Sequence, residues 1–101
     1  MGARSEVHVV PQPYPVVYDA LERCLPAAGF RITGSDPERG HLRLETRNTR
    51  LTVAVGAVDA ITSEWIATAE LKVGLFRDRH DAKFAAIEQA LDAYLATYYG
   101  P

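Results

Sequence analysis

The chain has 101 residues, 48% hydrophobic and 24% charged, which describes one globular domain over residues 1–101 and excludes a disordered or two-domain chain. Its net charge of -2 argues against wide contact with a phosphate backbone, and no segment approaches the apolar length of a membrane helix. Cys24 is the single cysteine, so no internal disulfide can form; Met1 to Glu6 lacks the apolar run of a signal peptide, and the cytoplasm is the expected location.

Glu6-Val7-His8-Val9-Val10 alternates and is β-branched, which predicts a first strand. Pro11, Pro13 and Pro15 stop it, because proline cannot donate to a sheet ladder, and Pro15 suits the first turn of a helix. That helix carries Val17, Leu21, Cys24 and Leu25 on one stripe and turns Asp19, Glu22 and Arg23 outward. Pro26 is expected to end or kink it, since the ring removes a hydrogen bond and disfavours helical backbone at Leu25. Gly29 supplies the break.

Phe30–Thr33 and His41–Arg47 read as a strand pair joined by the turn Asp36-Pro37-Glu38-Arg39-Gly40, with proline early and glycine late. Arg50–Val58 and Ile61–Val73 read as a long hairpin around Asp59-Ala60. The last helix is expected to start near Asp78, whose carboxylate can cap the first turn. It carries Phe84, Ile87, Leu91, Tyr94, Leu95 and Tyr98 on one stripe and reaches Gly100 as its C-terminal cap.

The order β-α-β-β-β-β-α predicts an α+β fold, an antiparallel five-stranded sheet with two helices packed on one face. Alternation turns Val7, Val9, Leu42, Leu44, Leu51, Val53, Val55, Trp65, Ala67 and Ala69 toward the helices. His8, Val10, His41, Arg43, Glu45, Arg47, Thr52, Ala54, Val58, Glu64, Ile66 and Thr68 then lie on the open face.

Charge is uneven along the chain. Arg31, Arg39, Arg43, Arg47 and Arg50 outnumber Asp36, Glu38 and Glu45 in the middle, while the last half is acidic. His8 and His41, with Glu45 or Glu64, could make a proton-transfer or metal group, although no two histidines stand at metal-ligand spacing and solvated strand residues account for them better. Asp78-Arg79-His80-Asp81 could hold a divalent ion, but acids are also what a helix start favours. Cys24 on an apolar stripe reads as a small buried hydrophobe, with no base nominated to activate it. No phosphate-binding glycine loop, paired-cysteine zinc motif or nucleophile elbow is present.

From Val16 to Thr46 the chain runs helix, Gly29-Phe30, strand, Asp36-x-x-x-Gly40 turn, strand. This order resembles segments of many small uncharacterised bacterial α+β domains. It is also similar to the repeat domain of the lipoprotein subunit of the outer-membrane β-barrel assembly machinery. Pro26 departs from an uninterrupted helix, and no functional residue is carried over. The resemblance implies a small scaffold that binds something.

Function is therefore expected in binding rather than catalysis. The partner is a second copy of the chain or another protein, met through the open sheet face or an edge, with His41, Arg43, Arg47, Val58 and Ile66 as binding residues. No cofactor, metal, nucleic acid or membrane is expected. The alternative is a small-molecule enzyme or ligand carrier with its pocket between sheet and helices, near Trp65 and Cys24. There Ala67 and Ala69 either leave room for a ligand or let the helices approach closely.

Overall fold

Proline and glycine set the first boundaries. The computed structural model describes residues 4–47, 49–71 and 80–99, without the side chains of residues 4–5, 70–71 and 80–81. Strand β1 (Arg4–Val10) stops before Pro11, and helix α1 (Tyr14–Ala27) opens with Pro15 in its first turn. The helix passes Pro26 by one residue, because a proline so near the end costs only the bond to the Glu22 carbonyl. Gly29, at φ +97°, reverses the chain, and the Phe30 N–H returns to the Leu25 carbonyl at 3.1 Å.

Four strands follow: β2 (Arg31–Asp36), β3 (His41–Glu45), β4 (Thr49–Asp59) and β5 (Thr62–Leu71). The β2–β3 turn needs its glycine. Gly40 has φ +75°, its N–H donates to the Asp36 carbonyl at 2.8 Å, and its carbonyl accepts from the Val55 N–H at 2.7 Å. A Cβ there would stand 2.2 Å from the Val55 oxygen, so no other residue fits. Helix α2 (His80–Tyr98) closes the described chain. The expected caps Asp78 and Gly100 lie outside the described residues, as do the side chains of His80 and Asp81.

The strand order is β1-β5-β4-β3-β2, antiparallel throughout. Strand β1 therefore occupies the edge opposite β2, and α1 carries the chain across the whole width of the sheet. Both helices lie on the face so crossed, which is the arrangement the sequence predicts. Among the described residues no helix is long and apolar enough to cross a membrane.

The four later strands follow their alternation. Leu42, Leu44, Leu51, Val53, Val55, Trp65, Ala67 and Ala69 are buried under Leu21 and Leu25 of α1 and Phe84, Ile87 and Leu91 of α2. Ala67 and Ala69 are fully covered, so their small size serves close helix approach.

Strand β1 is inverted relative to the expectation. Glu6, His8 and Val10 pair with Ala67, Trp65 and Ser63 and so face the helices, while Val7 and Val9 pair with Ile66 and Glu64 on the open face. Val10 is 6% exposed, against 56% for Val7 and 66% for Val9. The strand's last residue fixes this register. Val10 fills the core below the Pro11 turn, where its carbonyl accepts from the Gln12 N–H at 2.8 Å, and a period of two carries the choice back to His8 and Glu6. His8 and His41 consequently sit on opposite faces and form no joint group.

Tyr98 also departs from its expected place in the core. It is exposed, its ring 4.5 Å from that of half-buried Tyr94 at the end of α2. Leu95 takes the core position that the stripe offered at this turn.

Candidate functional site

Two regions of the sheet gather polar side chains, one on each face. The helix-facing region lies where β1 and β5 meet α2. There the His8 ring stacks on Trp65 with centroids 4.3 Å apart and planes 17° apart. The pair is a direct cross-strand neighbour, so the pleat itself brings the rings together. Nε2 of His8 hydrogen-bonds Glu6 Oε1 at 2.6 Å, and Nδ1 lies 3.4 Å from Glu88 Oε2 on α2. Both contacts become ionic when the ring is protonated.

Trp65 is 1% exposed, whereas the His8 side chain keeps 18% of its surface and the two carboxylates keep more. The group thus runs from a buried indole, through a partly open imidazole, to wet carboxylates. Among the described residues, Glu6 and His8 are the ionisable side chains on the helix-facing side of the sheet. The sequence reading missed this group because it placed His8 on the other face. The available signal was the pair Glu6 and His8, two apart on one strand, with Glu88 on the outer flank of the last helix.

The second region is the open face of β2 to β5. It holds a groove of about 620 Å3 lined by Thr33, Arg43, Glu45, Arg50, Thr52 and Thr68. A smaller concavity of about 290 Å3 adjoins it, sharing Arg43 and adding Gly34, Asp36, Arg39 and His41. Of the binding residues expected from the sequence, Arg43 and His41 line these hollows. Arg47 is exposed in the turn after β3, Val58 is exposed at the bulged end of β4, and Ile66 is half-buried beside Val7. The structure therefore gathers Arg43 with His41 and disperses Arg47, Val58 and Ile66.

Pairing on this face is uneven. Glu45 is shared, 2.5 Å from Arg31 and 3.9 Å from Arg50. Arg39 leans toward Asp36 at 3.9 Å. Arg43 has no carboxylate partner among the described residues.

The expected pocket near Trp65 and Cys24 does not form as one site. Trp65 belongs to the β1 end, whereas Cys24 lines a shallow cleft of about 480 Å3 between α1 and α2, with Ala27, Ala90 and Tyr94. Burial pushes the Cys24 thiol up to about 11. Its sulfur contacts the Leu21 carbonyl at 3.9 Å, so it behaves as the small buried hydrophobe expected of it.

At the far end of α1, hydroxyls tie the helix to the β2–β3 turn. Tyr18 Oη lies 2.7 Å from Ser35 Oγ and 3.0 Å from the His41 carbonyl, and Ser35 donates to Glu22 at 2.7 Å. Tyr14 donates to the Pro37 carbonyl. These bonds hold the rim of the open-face groove in place from behind.

No family model matches the chain, and no curated protein matches it in sequence. Solved structures do match in shape. A START superfamily protein from Mycobacterium smegmatis aligns with a TM-score of 0.50 and 9% identity, over 99% of this chain and 95% of that one. The Zhui aromatase/cyclase from Streptomyces sp. R1128 aligns with a TM-score of 0.49 and 16% identity, over 94% and 86%. A protein from Thermobifida fusca, solved in solution, aligns with a TM-score of 0.44 and 14% identity, over 99% and 85%. At these identities the likeness describes fold and nothing finer: the chain has an α+β, START-like arrangement.

Proposed function

We propose that this chain is a small-molecule-binding domain whose ligand sits on the helix-facing side of the sheet, where β1 and β5 meet α2. One observation carries the reading: a partly open imidazole stacked on a buried indole, with two carboxylates at its edge. A flat ligand can extend that stack, and Glu6 and Glu88 can accept hydrogen bonds from it. The ligand class is thus a small aromatic or partly apolar molecule bearing an O–H or N–H donor. Binding is favoured over catalysis because no nucleophile stands beside His8 among the described residues, and the one thiol is held protonated in a different cleft.

The test uses 2-naphthol, a flat ring with one donor. In a titration of the full chain, the single indole N–H resonance, that of Trp65, is expected to shift and saturate. His8→Ala should abolish the shift while the backbone spectrum stays folded. A titration in which the Trp65 resonance never moves, or moves equally in His8→Ala, overturns the reading.

A second reading, self-association through the open face, is favoured by the exposure of Val7 and Val9 next to half-buried Ile66. A symmetric pair would let these residues cover one another. Sedimentation that finds a monomer at high micromolar concentration removes it.

A further inference from the structure

We propose that the open-face groove over β2 to β5 is a second, independent site, which binds a small organic anion through Arg43. The ligand chemistry is a phosphoryl or carboxylate group. It lies on the side of the sheet opposite to His8, so it neither needs nor restates the binding reading given above.

Charge is the first argument. Arg31 and Arg50 divide Glu45 between them, and the β4–β5 register sets Glu70 opposite Arg50. Arg43, whose cross-strand neighbours are Gly34 and Thr52, is reached by no carboxylate of the described residues. The guanidinium is planar and forked, so an oxyanion can take two parallel N–H bonds from it.

Placement is the second. Strand β2 carries a bulge between Ile32 and Gly34. The extra residue, Thr33, lines the groove, and its hydroxyl donates to the Arg43 carbonyl at 3.4 Å. Gly34 leaves a bare stretch of backbone, against which the Arg43 stem lies: a Cβ there would stand 3.4 Å from Arg43 Cδ. The arginine is thus laid along β2 rather than free in solvent, which reduces the entropy lost when it grips a ligand.

Neighbours complete the site. Thr52 pairs with both Arg43 and Thr68, so one row across three strands reads arginine, threonine, threonine. Arg50 is one step diagonal from Arg43, a spacing of about 7–8 Å between such neighbours, within reach of two ends of one small dianion. A hollow of about 620 Å3 is the size of ordinary small-molecule sites. A long polyanion fits poorly, because Glu45 and Glu64 stand on the same face and the whole chain is acidic.

Pyrophosphate and succinate are the probes, titrated separately into the full chain at low salt and followed by calorimetry and amide resonances. Saturable binding is expected for at least one, with shifts at Thr33, Arg43 and Thr52; which probe wins identifies phosphoryl or carboxylate as the recognised group. Arg43→Gln should weaken binding about tenfold or more, with Arg43→Lys in between. His8→Ala should bind as the parent does. The proposal is overturned if neither probe saturates, if Arg43→Gln binds as tightly as the parent, or if His8→Ala loses binding equally. Arg43 is exposed, so a change in the melting curve does not confuse the comparison.

Discussion

At the β1 edge of the sheet the polar residues turn toward the helices, and at the β2 edge they turn away from them. Strand β1 sends Glu6 and His8 under α2 and leaves Val7 and Val9 in water. Strand β2 keeps Ile32 half-buried against the core and sends Arg31 and Thr33 outward. The difference lies in what each polar group needs. Arg43 and its neighbours have solvent, so they need no protein partner. A partly covered imidazole needs a partner, and Glu6 hydrogen-bonds Nε2 while Glu88 stands 3.4 Å from Nδ1 and Trp65 covers a ring face. Two edges of one sheet thus present two kinds of surface: a semi-buried stack held by carboxylates, and an open groove whose Arg43 has no carboxylate partner among the described residues.

Breaking the stack from below is the largest perturbation available. Trp65 is 1% exposed, and Trp65→Ala should cost ~3–5 kcal/mol in chemical denaturation. It removes the platform for His8 as well as core volume, so the β1 end should loosen before the β2–β3 hairpin in hydrogen exchange. A loss below about 1 kcal/mol would place Trp65 outside the core and with it the whole helix-facing assignment of β5.

Much of the fold is legible in the chain order. Pro11, Pro15, Gly29 and Gly40 mark the ends of elements, and Leu42/Leu44, Leu51/Val53/Val55 and Trp65/Ala67/Ala69 state their own facing. Those strands lie inside the sheet, with a partner on either side to enforce one register. Strand β1 has one neighbour, and its alternation is read wrongly when valines are counted as inward by composition. Val9 and Val10 stand side by side before the proline turn, so the sequence alone admits either register; the burial of Val10 in the core decides it. The candidate stack was illegible for the same reason, since it joins residues 6, 8, 65 and 88 through a register the sequence leaves open. The groove was partly legible, because His41, Arg43 and Thr52 alternate outward in central strands. Its bulge at Thr33 was not, since Gly34 and its neighbours read as an ordinary strand end.

The helix layer offers a subtler test of how dry the molecule is away from both edges. Burial lifts the Cys24 thiol from its ordinary 9.0 to about 11. Below pH 9.0 the thiol is protonated in both states; between 9.0 and about 11 the unfolded chain ionises while the folded one resists. Stability should therefore fall as pH rises through that window. Tyrosines titrate nearby, so the measurement is the difference in Tm between the parent and Cys24→Ala across that window, which should shrink as pH rises. A constant difference would mean that the thiol is solvated. Consistent with burial, alkylation of the folded chain at neutral pH should be slow and should become fast in denaturant.

The smallest effect belongs to the outer side of β1. Val9 is 66% exposed and pairs with Glu64, so Val9→Ser should change stability by no more than ~0.5 kcal/mol in a dilute chain. The result discriminates among three arrangements. A near-zero change at every protein concentration fits a monomer with β1 as described, His8 inward and Val9 in water. A loss above about 1.5 kcal/mol that is independent of concentration would mean that Val9 is buried within its own chain, which returns β1 to the register its valines suggest and dissolves the His8–Trp65 stack. A loss that appears only as concentration rises would mean that a second copy covers Val7, Val9 and Ile66. In that case Ile66→Glu, placing a charge at the middle of the patch, should return the chain to monomer while the helical signal is unchanged. The arginine groove lies on the other half of the same face, so pyrophosphate affinity should survive that dissociation.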